Sequence, residues 1–158
     1  MKNLLYILVF IAIGCKTTAE SSKDKQKELM FETVAQANLY GDGEEGIEEG
    51  NLIVKNKAEW DTLINKMDTA NKVSATFKGL PIDFSKEIII CVFDKLRSSG
   101  GVTIAITKME MNEKSVSVFY SIKKPLENQV STSVMTQPFH IVKMKRRTEN
   151  IVFTKSED

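Results

Sequence analysis

The chain predicts an α+β domain in which one main amphipathic helix packs on a mostly antiparallel sheet of about six strands. Three observations carry that reading. Trp60, Leu63, Ile64 and Met67 recur at i, i+3, i+4 and i+7, the apolar stripe of a helix that lies on a core. The run EIIICVF at 87–93 is continuously apolar and rich in β-branched residues, as a central strand covered on both faces requires. Alternating apolar residues on either side of Asn112-Glu113-Lys114 read as two strands joined by a tight turn. The chain has 158 residues, enough for one domain with a genuine core and too few for two comfortable ones.

The first element is not part of that domain. Lys2 gives a positive start, residues 4–13 form a short apolar run, and Ala12-Ile13-Gly14-Cys15 reads as a lipobox, with Ala12 where Leu is commonest. Such a run is too short to cross about 30 Å of hydrocarbon comfortably as a permanent helix. Residues 1–14 are therefore expected to be a lipoprotein signal peptide. Cys15 is the expected lipidation site, whose diacylated thiol anchors the chain in the membrane. Residues 15–28 are read as the lipidated cysteine and a stalk, because KTTAESSKDKQK at 16–27 has no apolar residue larger than Ala19 and mixes both charge signs. Residues 29–158 are the expected single domain.

Within that domain MFETVA at 30–35 starts a strand-like run, and YGDGEEGIEEG at 40–50 is a loop dense in Gly and Glu. Its carboxylates do not keep the ligand spacing of a calcium-binding EF-hand, so a solvated turn is expected and no metal. Leu52-Ile53-Val54 is a short strand. Asn56 is placed to cap the helix that follows, with Glu59 reaching back as in a capping box, and the helix ends before Asn71. FKGLPIDFS at 77–85 leads into the apolar strand, and KLRSSGG at 95–101 turns the chain. From Val102 the alternation runs through Ile106 and then changes parity at Met109 and Met111, which predicts a bulge near Thr107 and Lys108. Val116, Val118, Tyr120 and Ile122 line one face of the returning strand. After an aperiodic stretch at 123–138, residues 139–145 and 150–155 are expected to form a last hairpin around Arg146 to Glu149.

Composition excludes several functions. The chain has 22 Lys and Arg against 21 Asp and Glu, and loss of the signal segment removes Lys2 alone, leaving a formal balance of zero. A nucleic-acid binder would carry a clustered basic surplus. With Cys15 committed to lipid, Cys91 has no partner for a disulfide. Cys91 and the single histidine, His140, are the only pair from which a nucleophile and a base could be assembled, and a thiol inside an apolar strand is expected to be desolvated and inert. No phosphate-binding Gly loop and no Cys/His cluster with metal spacing is present. Neither a cofactor nor a metal is expected. Lys143, Lys145, Arg146 and Arg147 gather at the tip of the expected last hairpin, where a solvated turn is the plainer reading than a contact with anionic headgroups. Trp60 lies on the helix stripe and is expected in the core.

The second half resembles a known family. Ile82-Asp83-Phe84-Ser85-Lys86 ahead of an apolar strand, then SGGVTIAI at 99–106, and TQPFHIVK at 136–143, in that order and spacing, resemble the C-terminal domain of PrcB-type protease complex subunits. Gly46-Ile47 and Ala58-Glu59-Trp60 extend the likeness upstream, so that it spans roughly residues 31–145. The chain departs from the family pattern at PLENQV, 125–130, where a Gly-bearing loop is usual. The resemblance implies a noncatalytic, membrane-anchored lipoprotein that binds and stabilises a partner, with a secreted or surface protease as the natural candidate. It also implies that Gly100, Gly101, Pro138 and His140 mark the fold rather than a site. Two other classes are kept beside this one: a small-ligand-binding envelope lipoprotein with Trp60 in the wall of its site, and a Cys91/His140 enzyme. Lys16, where Asp would favour inner-membrane retention, points to the outer membrane.

Overall fold

The computed structural model describes residues 26–126 and 132–156, so the expected signal segment, Cys15 and most of the stalk lie outside the described residues. The domain is α+β, but the described residues form eight strands in two sheets rather than about six in one. The strands are β1 (Lys27–Glu28), β2 (Phe31–Leu39), β3 (Gly50–Val54), β4 (Glu87–Phe93), β5 (Thr103–Met111), β6 (Ser115–Lys123), β7 (Gln137–Lys145) and β8 (Asn150–Lys155). Helix α1 (Lys57–Met67) and a 3-10 turn (Val73–Thr76) lie between β3 and β4. One sheet has the order β2-β7-β4-β3 and is antiparallel throughout. The other has the order β1-β5-β6-β8, with β6 and β8 parallel.

Three layers result. Helix α1 covers one face of the β2-β7-β4-β3 sheet, where Trp60, Leu63, Ile64 and Met67 bury against Ile89, Cys91 and Ile141. The opposite face, with Ile88, Ile90, Val92 and Val142, packs on Ile104, Ile106, Val116 and Val118 of the second sheet. Covering on both faces is why β4 is apolar without interruption, since every side chain of the pleat meets protein. The same holds for β7, whose first six residues are all buried.

Local chemistry fixes the helix start. Asn56 Oδ1 accepts the Glu59 N–H at 2.9 Å, while the Glu59 carboxylate accepts the Lys55 N–H at 2.6 Å and the Asn56 amide at 2.7 Å. The box therefore closes one residue further back than the usual arrangement, and it satisfies amides that the first turn leaves free. At the other end Asp68 caps the helix and holds the 3-10 turn through the backbone N–H and hydroxyl of Ser74.

The expected bulge is present: the β5–β6 register shifts between Ile106 and Lys108. Met109 then returns to the buried face together with Ile104 and Ile106. Asn112 makes the following turn by accepting the N–H groups of Lys114 and Ser115. Lys27 and Glu28, at the end of the expected stalk, form β1 against Glu110 and Met111.

The last two strands do not form a hairpin. Strand β7 inserts between β2 and β4, and the chain then crosses to the other sheet, where β8 runs parallel to β6. Arg146 anchors the chain where the crossing begins. Its backbone N–H donates to the Lys86 carbonyl at 2.7 Å, and its guanidinium donates to the carbonyls of Phe84 and Lys55. The chain is thereby held to the β2-β7-β4-β3 sheet up to Arg146, and because β2 and β4 occupy both edges of β7, β8 has no edge of β7 to fold back on.

Candidate functional site

Cys91 and His140 sit on adjacent strands but never meet. Cys91 pairs with Ile141 and His140 with Val92, so the pleat sends the thiol to the helix side of the sheet and the imidazole to the side of the second sheet. Cys91 is fully buried among apolar groups, and that burial pushes its thiol well above the ordinary range. No nucleophile and base are assembled from this pair.

His140 instead joins the two sheets. Its Nδ1 accepts the Ile106 backbone N–H at 2.8 Å, which places the ring proton on Nε2, 3.0 Å from the Thr33 hydroxyl. Burial lowers its pKa to about 4, so the ring is neutral at physiological pH. Gln36 does related work by donating to the Ile104 carbonyl at 2.8 Å. These two side chains satisfy main-chain groups of β5 beyond the end of short β1. An edge that would otherwise present bare donors and acceptors is closed by the neighbouring sheet.

The residues around the Gly pair are structural in the same sense. Gly101 has φ near +90°, and Gly100 donates its N–H to Thr132 at 3.0 Å, with no room for a Cβ beside the Thr132 hydroxyl. Arg97 exchanges backbone hydrogen bonds with Thr136 and holds fully buried Asp94 in a bidentate pair at 2.7 and 2.8 Å. Gln137 donates to the carbonyls of Ile47 and Asp94. Buried Asp94, Gln137 and Arg97 escaped the sequence reading. The legible signal was an acid directly after an apolar strand with a base three residues on.

In the acidic loop, Glu45 turns inward and accepts the Gly41 N–H at 2.8 Å. Among the described residues no cluster of three or more His, Cys, Asp or Glu side chains could hold a metal. The basic residues at 143–147 are not a hairpin tip: Lys143 faces Glu32 and Glu87 at 3.2 and 3.9 Å, and Arg146 is engaged with carbonyls. Trp60 is buried against the Phe77 ring, as the helix stripe predicted.

What remains open is the free edge of β3. A groove of about 300 Å³ runs between β3 and α1, lined by Leu52, Val54, Glu59, Thr62, Leu63 and Lys66. A second hollow of about 410 Å³ continues it past Glu48, Glu49 and Phe93. Trp60 lines neither. Leu52 is 42% exposed there, an apolar side chain on a strand with one unpaired edge. The arrangement can accept an extended segment: main-chain groups of β3 on one side, an apolar floor, and charges of both signs at the rim.

The fold and this edge define a two-sheet domain built around an apolar central strand pair and closed at β5 by side chains. Residues 88–145 match the family model described as PrcB C-terminal, the family that the sequence motifs resemble. The match covers β4, β5, β6 and β7, including the Gly pair and the His140 segment. The loop at 125–130, where the chain departs from the family pattern, lies largely outside the described residues. Comparison with curated proteins and with solved structures gave no match.

Proposed function

We propose that the protein is a noncatalytic envelope lipoprotein, anchored through Cys15 and directed to the outer membrane, whose PrcB-like domain binds and stabilises a partner protein. A secreted or surface protease is the first candidate. The observation that carries the reading is the PrcB C-terminal match over residues 88–145, a domain associated with a protease complex subunit. The turning of Cys91 and His140 to opposite faces supports the noncatalytic part, because each is already used in packing or in joining the sheets. The open edge of β3 with its groove is the surface best suited to the partner.

Affinity purification of the full-length protein from membranes tests the proposal. A second polypeptide recovered reproducibly with the wild type, and lost when Leu52→Lys places a charge on the groove floor, is the expected result. Recovery of the chain with no other polypeptide counts against it. Loss of the partner with a variant at the far edge, but not with Leu52→Lys, would move the docking surface elsewhere.

A further inference from the structure

The second unprotected edge, β8, carries a self-complementary pattern. We infer that two copies of this chain associate through antiparallel pairing of their β8 strands, centred on Val152. The other edges are guarded or engaged: β2 is interrupted by a register shift at Val34, β1 has two residues, and β5 is closed by His140 and Gln36. Strand β8 has six residues with no proline and no bulge, and Val152 on its outer face is 43% exposed.

The direction of the main chain sets the register. Ser156 donates its N–H to Tyr120 of β6 at 2.8 Å, so by alternation Thr154 and Val152 also turn their main-chain groups to β6, while Ile151, Phe153 and Lys155 turn theirs outward. An antiparallel copy that respects the two faces can then place Val152 against Val152 as a non-hydrogen-bonded pair. Ile151 of one copy exchanges both backbone hydrogen bonds with Phe153 of the other, and both side chains continue the inner apolar face on which they already pack. In the same register Asn150 faces Thr154, and Glu149 comes to lie beside Lys155 of the second copy. Apolar, polar and charged positions thus all find their complement in a single two-fold arrangement, as an isologous interface requires.

Cysteine cross-linking in the full-length chain, extracted in non-ionic detergent, tests this directly. Facing Cα atoms in a non-hydrogen-bonded pair are about 4.5 Å apart, within disulfide reach, whereas Thr154 and its own counterpart would be about 13 Å apart. Val152→Cys is expected to give a disulfide-linked homodimer on mild oxidation, about tenfold above Thr154→Cys and above the wild type, which sets the background. Glu149→Lys in the Val152→Cys chain should lower the yield, and adding Lys155→Glu should restore it. Equal cross-linking of Val152→Cys and Thr154→Cys overturns the inference, as does a charge exchange that restores nothing. A Val152→Cys adduct with a different polypeptide overturns it too and assigns the edge to a partner. Sedimentation of the wild-type chain is independent of any variant's folding: a concentration-dependent dimer supports the pairing, and a monomer at every concentration refutes it.

Discussion

His140 offers the sharpest test of how the domain holds together. Replacing it with Phe keeps a ring of similar size but removes the acceptor that satisfies the Ile106 N–H and the group that reaches Thr33. A buried donor left without a partner costs about 1–3 kcal/mol. The pH dependence isolates the imidazole further. Its pKa is about 4 in the folded protein against an ordinary value of 6.5. The unfolded chain therefore binds the proton first as pH falls, and stability drops between about pH 6.5 and pH 4, being fully present above that window. At about 1.4 kcal/mol per pH unit the loss is at most about 3 kcal/mol. The chemistry agrees with the sign, since a protonated Nδ1 would set one donor against another at Ile106. Urea denaturation at a series of pH values, wild type against His140→Phe, measures it. The carboxylates titrate alike in both chains, so the difference belongs to His140. His140→Phe is expected to be less stable at neutral pH and to lose less on acidification. Parallel stability curves across that window would refute the reasoning.

Three further outcomes follow from the packing. Cys91 should stay unlabelled by an alkylating reagent at neutral pH and react only when denaturant opens the core, as peptide mapping would show; rapid native labelling would revive a catalytic thiol. Gly101→Ala should cost about 1–2 kcal/mol by chemical denaturation, because φ near +90° disfavours any Cβ and the new atom would press on Pro125 at 3.3 Å. Asp94→Asn should lower stability by about 3 kcal/mol in calorimetry, since it strips the charge partner from a mostly buried Arg97; a change near zero would mean that the pair is merely tolerated.

The helix, β4 and the β5–β6 hairpin were legible because each has a period that its own residues enforce: the stripe at Trp60 to Met67, the continuous run before Asp94, and the parity change at Thr107 and Lys108. Pairing across the sheets was not. Alternation shows that 139–145 and 150–155 are strands, and the short connection suits a hairpin, yet nothing local reports that Arg146 is tied to Phe84 and Lys55. One clue was present in composition. Strand β7 is apolar on both faces and β8 on one, so the two belong to different environments. At the candidate site the sequence placed the one thiol of the domain inside an apolar strand, and the structure buries it there. The sequence could not say which edges are free, since exposure of an edge depends on strand order.

The placement of β7 sets the order in which the domain can be made. Among the described residues this strand is the seventh of eight, yet it is the sole neighbour of β2 in its sheet and joins β2 to β4. Until residues 137–145 are available, β2 has no ladder, the ring of His140 is missing from the free rim of β5, and Val142 and Met144 are missing from the inner apolar face. A chain emerging N-terminus first therefore stays incomplete until residues 137–145 have appeared. That late closure acts as a timer: truncation anywhere before β7 leaves an opened sheet for proteases to remove rather than a shorter working domain.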